Sequence, residues 1–179
     1  MNEIGYSPKN LKFDQEGRDK LIKGISTIAA AVKSTLGPSG QTVLIESPHH
    51  THGITVTKDG VTVAKAVDLL DPVENLAVRM MKEAAERTAT SAGDGTTTAI
   101  VLTEALVLEG MLRLKDGVNK TEVLRELVAK TNIICNNLKR KSKAVTKGKL
   151  KDIATISANN DSNIGDIISK VYKAVGKNG

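Results

Sequence analysis

The run Gly93-Asp94-Gly95-Thr96-Thr97-Thr98 leaves the chain little choice of local fold. It interrupts two long stretches whose apolar residues recur every three or four positions, the spacing of one helix face. Before it the stripe is Val73, Leu76, Ala77, Met80, Met81, Ala84 and Ala85; after it come Ala99, Leu102, Ala105 and Leu106. Asp71 as N-cap with Pro72 at the first helical position starts the earlier helix, which ends near Ala92-Gly93. The later helix begins directly after Gly95. Two helices are thus joined through glycines, with the N-terminus of the second at the loop.

The same periodicity organises the rest. Asp14 caps a helix carrying Leu21, Ile25, Ile28, Ala29, Val32 and Leu36, which Gly37-Pro38 stops. Residues 42–46 and 54–57 read as two strands of a hairpin, joined by a loop holding His49, His50 and His52. Asn119 with Glu122 forms a capping box for a fourth helix through Leu124, Leu127, Val128 and Ile134. A last helix runs from Ile164 to Val175, and residues 1–13 read as an extended arm. The expectation is a mainly α fold: four long helices around a β-hairpin over residues 1–140, a lysine-rich linker, and the start of a second domain over 141–179.

Composition narrows the class. With one Phe, two Tyr and no Trp among 179 residues, the core must be aliphatic, and the aromatic platforms of a base-stacking nucleic-acid reader are missing. The net charge of +6 is concentrated at Lys139-Arg140-Lys141-Ser142-Lys143 and the lysines up to 151, which reads first as a solvated helix end. Nucleic acid is not an expected partner. The lone Cys135 permits no intrachain disulfide and, in an apolar helical run, reads as a buried inert thiol. The N-terminus has no signal-like apolar core and no stretch is long enough to span a bilayer, so the expected setting is cytoplasmic, with no membrane partner. The three histidines are irregularly spaced without Cys or acids close by, which is poor metal-site chemistry.

The hexapeptide also carries chemistry. A helix N-terminus leaves about four N–H groups unpaired and bears partial positive charge, so it attracts phosphate. Glycines permit close approach, and Thr96, Thr97 and Thr98 bring hydroxyls. Asp94 would repel phosphate unless a cation lay between, and magnesium takes one or two carboxylates plus phosphate oxygens. Helix capping alone would also explain Asp94 and one threonine; both readings stand. Thr35-Leu36-Gly37-Pro38-Ser39-Gly40-Gln41 is either a helix C-cap and turn or a loop able to line a nucleotide, and no Walker A pattern is present. Thr57-Lys58-Asp59-Gly60-Val61 fits a β-turn as well as it fits a phosphate-facing loop.

In this order, Thr35-Leu36-Gly37-Pro38, Thr57-Lys58-Asp59-Gly60-Val61 and Ala92-Gly93-Asp94-Gly95-Thr96-Thr97-Thr98-Ala99 resemble the nucleotide motifs of the group I chaperonin family, ring-forming ATPases that assist protein folding. Thr155-Ile156-Ser157-Ala158-Asn159 resembles the family's intermediate-domain segment. The resemblance runs from about Phe13 to Gly179. It implies an equatorial ATP-binding domain at 1–140 and the first segment of the intermediate domain at 141–179. Thr35, Leu36, Gly37, Pro38, Lys58 and Gly60 would contact ATP or its ions, Mg2+ and K+. Asp94 would hold Mg2+, Gly95, Thr96, Thr97 and Thr98 the phosphates, and Asp59 would stand by the terminal phosphate as a catalytic residue. The implied partners are identical subunits in a seven-fold-type ring, joined partly through the hairpin, with unfolded clients and a co-chaperonin at an apical domain. Asp161 resembles a salt-bridge partner between domains or subunits.

Ser39 and Gln41 stand where the family usually has basic residues, which suggests a divergent member. The apical domain, the returning intermediate segment with the principal catalytic aspartate and the C-terminal equatorial half have no counterpart here. The expectation is therefore a piece of a longer subunit, marginal in stability and hydrolytically poor by itself.

Overall fold

Capping side chains define where most helices of this chain begin. The computed structural model describes residues 11–37, 39–46, 53–114, 117–146 and 148–176; residues 1–10, Pro38, Lys147 and the His49-His50-His52 loop lie outside them. Asp14 accepts a hydrogen bond from the Gly17 amide and opens α1 (Gln15–Lys33). Strands β1 (Val43–Glu46) and β2 (Ile54–Thr57) pair antiparallel, Val43 opposite Thr57 and Glu46 opposite Ile54. There follow α2 (Gly60–Ala66), α3 (Pro72–Ala92), α4 (Thr96–Arg113), α5 (Lys120–Lys141), α6 (Lys149–Ser157) and α7 (Ser162–Val175). The fold is mainly helical with one small hairpin, as the sequence led us to expect.

By packing, the chain forms two compact units that divide between Val118 and Asn119. The first holds α1 to α4 and the hairpin around a core of Ile28, Ala29, Val32, Val63, Ala64, Val78, Met81, Ala85 and Ile100. This core departs from the expected stripes. In α3 the inner face is Glu74, Ala77, Val78, Met81 and Ala85, while Leu76 and Met80 are exposed. In α4 it is Thr96, Ile100 and Glu104, while Leu102 and Leu106 are exposed. Ionic pairing lets the two acids lie inside: Glu74 takes Lys23 at 2.7 Å and Glu104 takes Lys33, so both occupy inner positions that a hydrophobic count passes over.

Two more corrections concern helices. α1 stops at Lys33 rather than running to Leu36, and α2 occupies a stretch read as a turn. In the second unit α6 and α7 pack on each other, α6 being a helix the weak pattern beyond Lys143 had hidden. Asn119 caps α5 as expected, through the Thr121 and Glu122 amides. Yet α5 buries none of its residues, and Cys135 is exposed rather than buried. The α6–α7 seam is built from small residues: Ala154, Gly165 and Ser169 are buried, and a Cβ at Gly165 would run into Thr155, whose Cα and N would lie 2.9 Å away.

α1 crosses α3 just as closely. A Cβ on Gly24 would collide with the Glu74 carbonyl and lie 3.1 Å from the Ala77 Cβ. Ala is about 1 kcal/mol better than Gly inside a helix, but overpacking against backbone that cannot yield costs about 1–3 kcal/mol. Gly24→Ala is accordingly expected to lower the urea midpoint of unfolding.

Asp71 does two jobs at the start of α3. It accepts from the Val73 and Glu74 amides at 2.8 and 3.2 Å and takes the Lys20 ammonium at 2.8 Å. The Lys20 hydrogen bond, helped by the amides, holds its carboxyl down at about 2. A depressed carboxyl stabilises the fold above its unfolded value of roughly 4 and ceases to do so as pH falls through its folded value. Asp71→Asn, which keeps a capping oxygen, is expected to lower Tm at pH 7, with the gap to wild type closing between pH 4 and pH 2; melts across that range measure it.

Candidate functional site

Three turns of the first unit converge on one cavity of about 350 Å³. The first follows α1. Thr35 turns its hydroxyl back to the Val32 carbonyl at 2.8 Å, and Gly37 adopts φ +76°, a left-handed conformation that favours glycine. Hydrogen bonds from the Gly40 amide to Gly37 and from the Gln41 amide to Ser34, at 3.0 and 2.7 Å, close the turn.

The second turn leads from β2 into α2. Asp59 is a helix N-cap rather than the corner of a β-turn: its carboxylate accepts from the Val61 amide at 3.3 Å, the Thr62 amide at 2.9 Å and the Thr62 hydroxyl at 2.6 Å. Partial burial pushes this carboxyl up, but the Thr62 hydroxyl, the two amides and Lys65 outweigh it and hold it below its ordinary value. Asp59 therefore stays ionised, and lies on the cavity wall beside Lys58 and Val61.

The third turn is the glycine-flanked loop. α3 closes with Gly93 at φ +74°, its amide bonded to the Ala89 carbonyl at 2.8 Å, and α4 opens at Gly95 with φ +87°. Asp or Asn side chains cap α1, α2, α3, α5 and α7, whereas α4 and α6, each preceded by glycine, have no side-chain cap among the described residues. Asp94 is exposed and accepts only from its neighbour, the Gly95 amide, at 2.6 Å among the described residues. Pure capping thus fails to explain this loop: the amides of the first turn of α4 are left to whatever occupies the cavity.

Gly60 binds the three turns together. A Cβ there would fall on the Thr97 hydroxyl and come within 3.1 Å of the Thr35 hydroxyl. This close approach explains why glycine opens α2, and it was invisible in sequence because Asp-Gly reads as a turn wherever it occurs. The cavity lining gathers Thr35, Leu36, Gly37, Lys58, Asp59, Gly60, Asp94, Gly95, Thr96, Thr97 and Thr98, which are the site residues proposed from sequence apart from the undescribed Pro38. Thr96 is buried and Thr98 exposed, so the three hydroxyls are not equivalent. Ala89, one helical turn before Gly93, also lines the cavity; only the helical period could have pointed to it.

The residues suit an anion with its counter-cation. An uncapped helix N-terminus, threonine hydroxyls and Lys58 suit phosphate chemistry, and Asp94 offers one exposed carboxylate. Among the described residues no three His, Cys, Asp or Glu gather into a cage of their own. A cation here would need oxygens from the ligand, as magnesium bound to a nucleotide does. Asp161, by contrast, caps α7 through the Asn163 and Ile164 amides and joins no ion pair among the described residues. No helix of the described residues is long and apolar enough to cross a membrane.

Known proteins share this architecture. The chaperonin gp146 from the bacteriophage EL 2 (Pseudomonas aeruginosa), crystallised in the presence of ATP-BeFx, superposes with a TM-score of 0.77 at 30 % identity over 91 % of this chain. A group III chaperonin in the open state gives 0.74 at 26 % identity over 92 %. The chain spans 28 % and 32 % of the lengths of those two proteins. Residues 28–179 match the TCP-1/cpn60 chaperonin family. This chain belongs to the TCP-1/cpn60 chaperonin family.

Proposed function

We propose that the cavity binds Mg-ATP and that the protein serves as the nucleotide-binding part of a ring-forming, ATP-hydrolysing chaperone subunit of the group I type. The observation that carries this reading is the uncapped N-terminus of α4, with exposed Asp94 beside it, facing the turns at Thr35–Gly37 and Lys58–Val61 across one cavity. The presence of ATP-BeFx with the phage chaperonin supports a nucleotide as the ligand class.

In this reading the first-turn amides of α4 and the Thr97 and Thr98 hydroxyls take the phosphates, Asp94 takes Mg2+, and Lys58 adds charge. Bound magnesium would neutralise phosphate charge and let the anion approach a carboxylate. Asp59 is a weak proton acceptor because its carboxyl lies low and its oxygens are already engaged. Its part in catalysis is to stay charged beside the terminal phosphate, orienting water or sharing a cation such as K+. Residues 1–140 form the equatorial portion and 141–179 the first intermediate segment, in a cytoplasmic seven-fold-type ring that serves clients with a co-chaperonin.

Calorimetric titration with ATP tests the reading. Binding should be seen with Mg2+ and weaken sharply in EDTA; equal affinity in both would overturn it.

A further inference from the structure

The cavity is assembled from helix ends, so something must fix those ends relative to one another. One candidate lies outside the cavity wall. Lys33, the last residue of α1, pairs through its ammonium with the Glu104 carboxylate on α4. Lys33 stands two residues before Thr35, and Glu104 eight residues after Thr96, about 12 Å along the helix at roughly 1.5 Å per residue. The Glu104 side chain is only 8 % exposed, against 46 % for Lys33. A carboxylate buried that deeply is costly unless its partner stays in place, so the pair restrains how α4 can slide or turn against the end of α1. Val32 and Ile100, both buried, pack in the same region of the core but supply only non-directional contact.

We propose that Lys33–Glu104 is a positioning pair: it sets the spacing between the Thr35–Gly37 turn and the first turn of α4, and through that spacing the affinity of the cavity for Mg-ATP. The proposal rests on the nucleotide reading of that cavity. A second ion pair on α1 provides the comparison. Lys23 meets Glu74 of α3 at 2.7 Å, with the Glu74 side chain 12 % exposed. It joins helices in the same way, ten residues earlier on α1, and contributes nothing to the cavity wall.

The experiment measures Mg-ATP affinity and unfolding temperature for wild type, Lys33→Met, Lys33→Arg, Glu104→Gln and Lys23→Met. Amide exchange at Thr35–Gly37 is followed in the unliganded proteins. Lys33→Met and Glu104→Gln should each raise the Kd about 3- to 30-fold, the range expected of residues that tune a site without touching its ligand. Lys33→Arg should restore the Kd to within about twofold of wild type, because the charge and reach survive. Lys23→Met should lower the unfolding temperature to a similar degree yet leave the Kd nearly unchanged. Exchange at Thr35–Gly37 should quicken in Lys33→Met and not in Lys23→Met.

If Lys33→Met binds as tightly as Lys23→Met, or if Kd simply follows stability across the set, the positioning role is refuted while the nucleotide reading stands. Failure of wild type to bind Mg-ATP removes both. Glu104→Gln, which preserves shape, and the exchange measurement decide the matter should Lys33→Met prove too unstable to titrate.

Discussion

Asp94→Ala is expected to weaken Mg-ATP binding at least about 100-fold, beyond the roughly 10- to 100-fold lost when a group that merely orients a metal ligand is removed. In the assembled subunit it should abolish magnesium-dependent hydrolysis. Local structure makes this a clean substitution. Asp94 is exposed, caps no helix, and accepts only from the amide of Gly95. Such a change should leave stability within about 0.5 kcal/mol of wild type. Affinity for ATP without magnesium should fall far less, or rise, since the carboxylate then faces phosphate with no cation between. Asp94→Asn, which keeps the shape and loses the charge, should behave like Ala. Unchanged Mg-ATP affinity in either variant would sink the metal assignment.

Gly60→Ala should have the next largest effect. Inside a helix an alanine for glycine would help by about 0.5–1 kcal/mol. Here the new methyl group falls on the Thr97 hydroxyl and crowds that of Thr35. Overpacking of this kind costs about 1–3 kcal/mol. The obstacle on α4 is a short side chain in the first turn, so the clash is relieved by moving a residue that faces the cavity. Mg-ATP binding should fall on the order of 10- to 100-fold, as expected when a positioning group is displaced by about 1 Å. Adding Thr97→Ala to Gly60→Ala should return most of the lost stability but not the affinity. Full recovery of both would show that Gly60 matters for packing alone.

Much of this was legible in residues and spacing, and the failures share a cause. Caps were readable because they are local: Asp14, Asp71 and Asn119 each bond amides two or three residues ahead, as their sequence context demanded. The glycine-flanked loop was readable because Gly93 and Gly95 need left-handed backbone that other residues resist. Non-local facts were hidden. Glu74 and Glu104 look like surface residues until Lys23 and Lys33 are seen across the helix crossings. Asp59-Gly60 reads as a turn until Thr97 is found where a side chain would go. Cys135 sits in an apolar run whose helix has no buried face. The convergence of the three motifs depends on the packing of α1, α2 and α4, which no single motif encodes.

The seam between α6 and α7 has a mechanical consequence. Where Gly165 lies against the backbone of Thr155 and Ser169 is shut in, neither helix can slip along the other without a steric clash. Packed interfaces of this sort switch between discrete arrangements rather than deform smoothly. The two helices therefore hold one register against each other and behave as a single stiff pair.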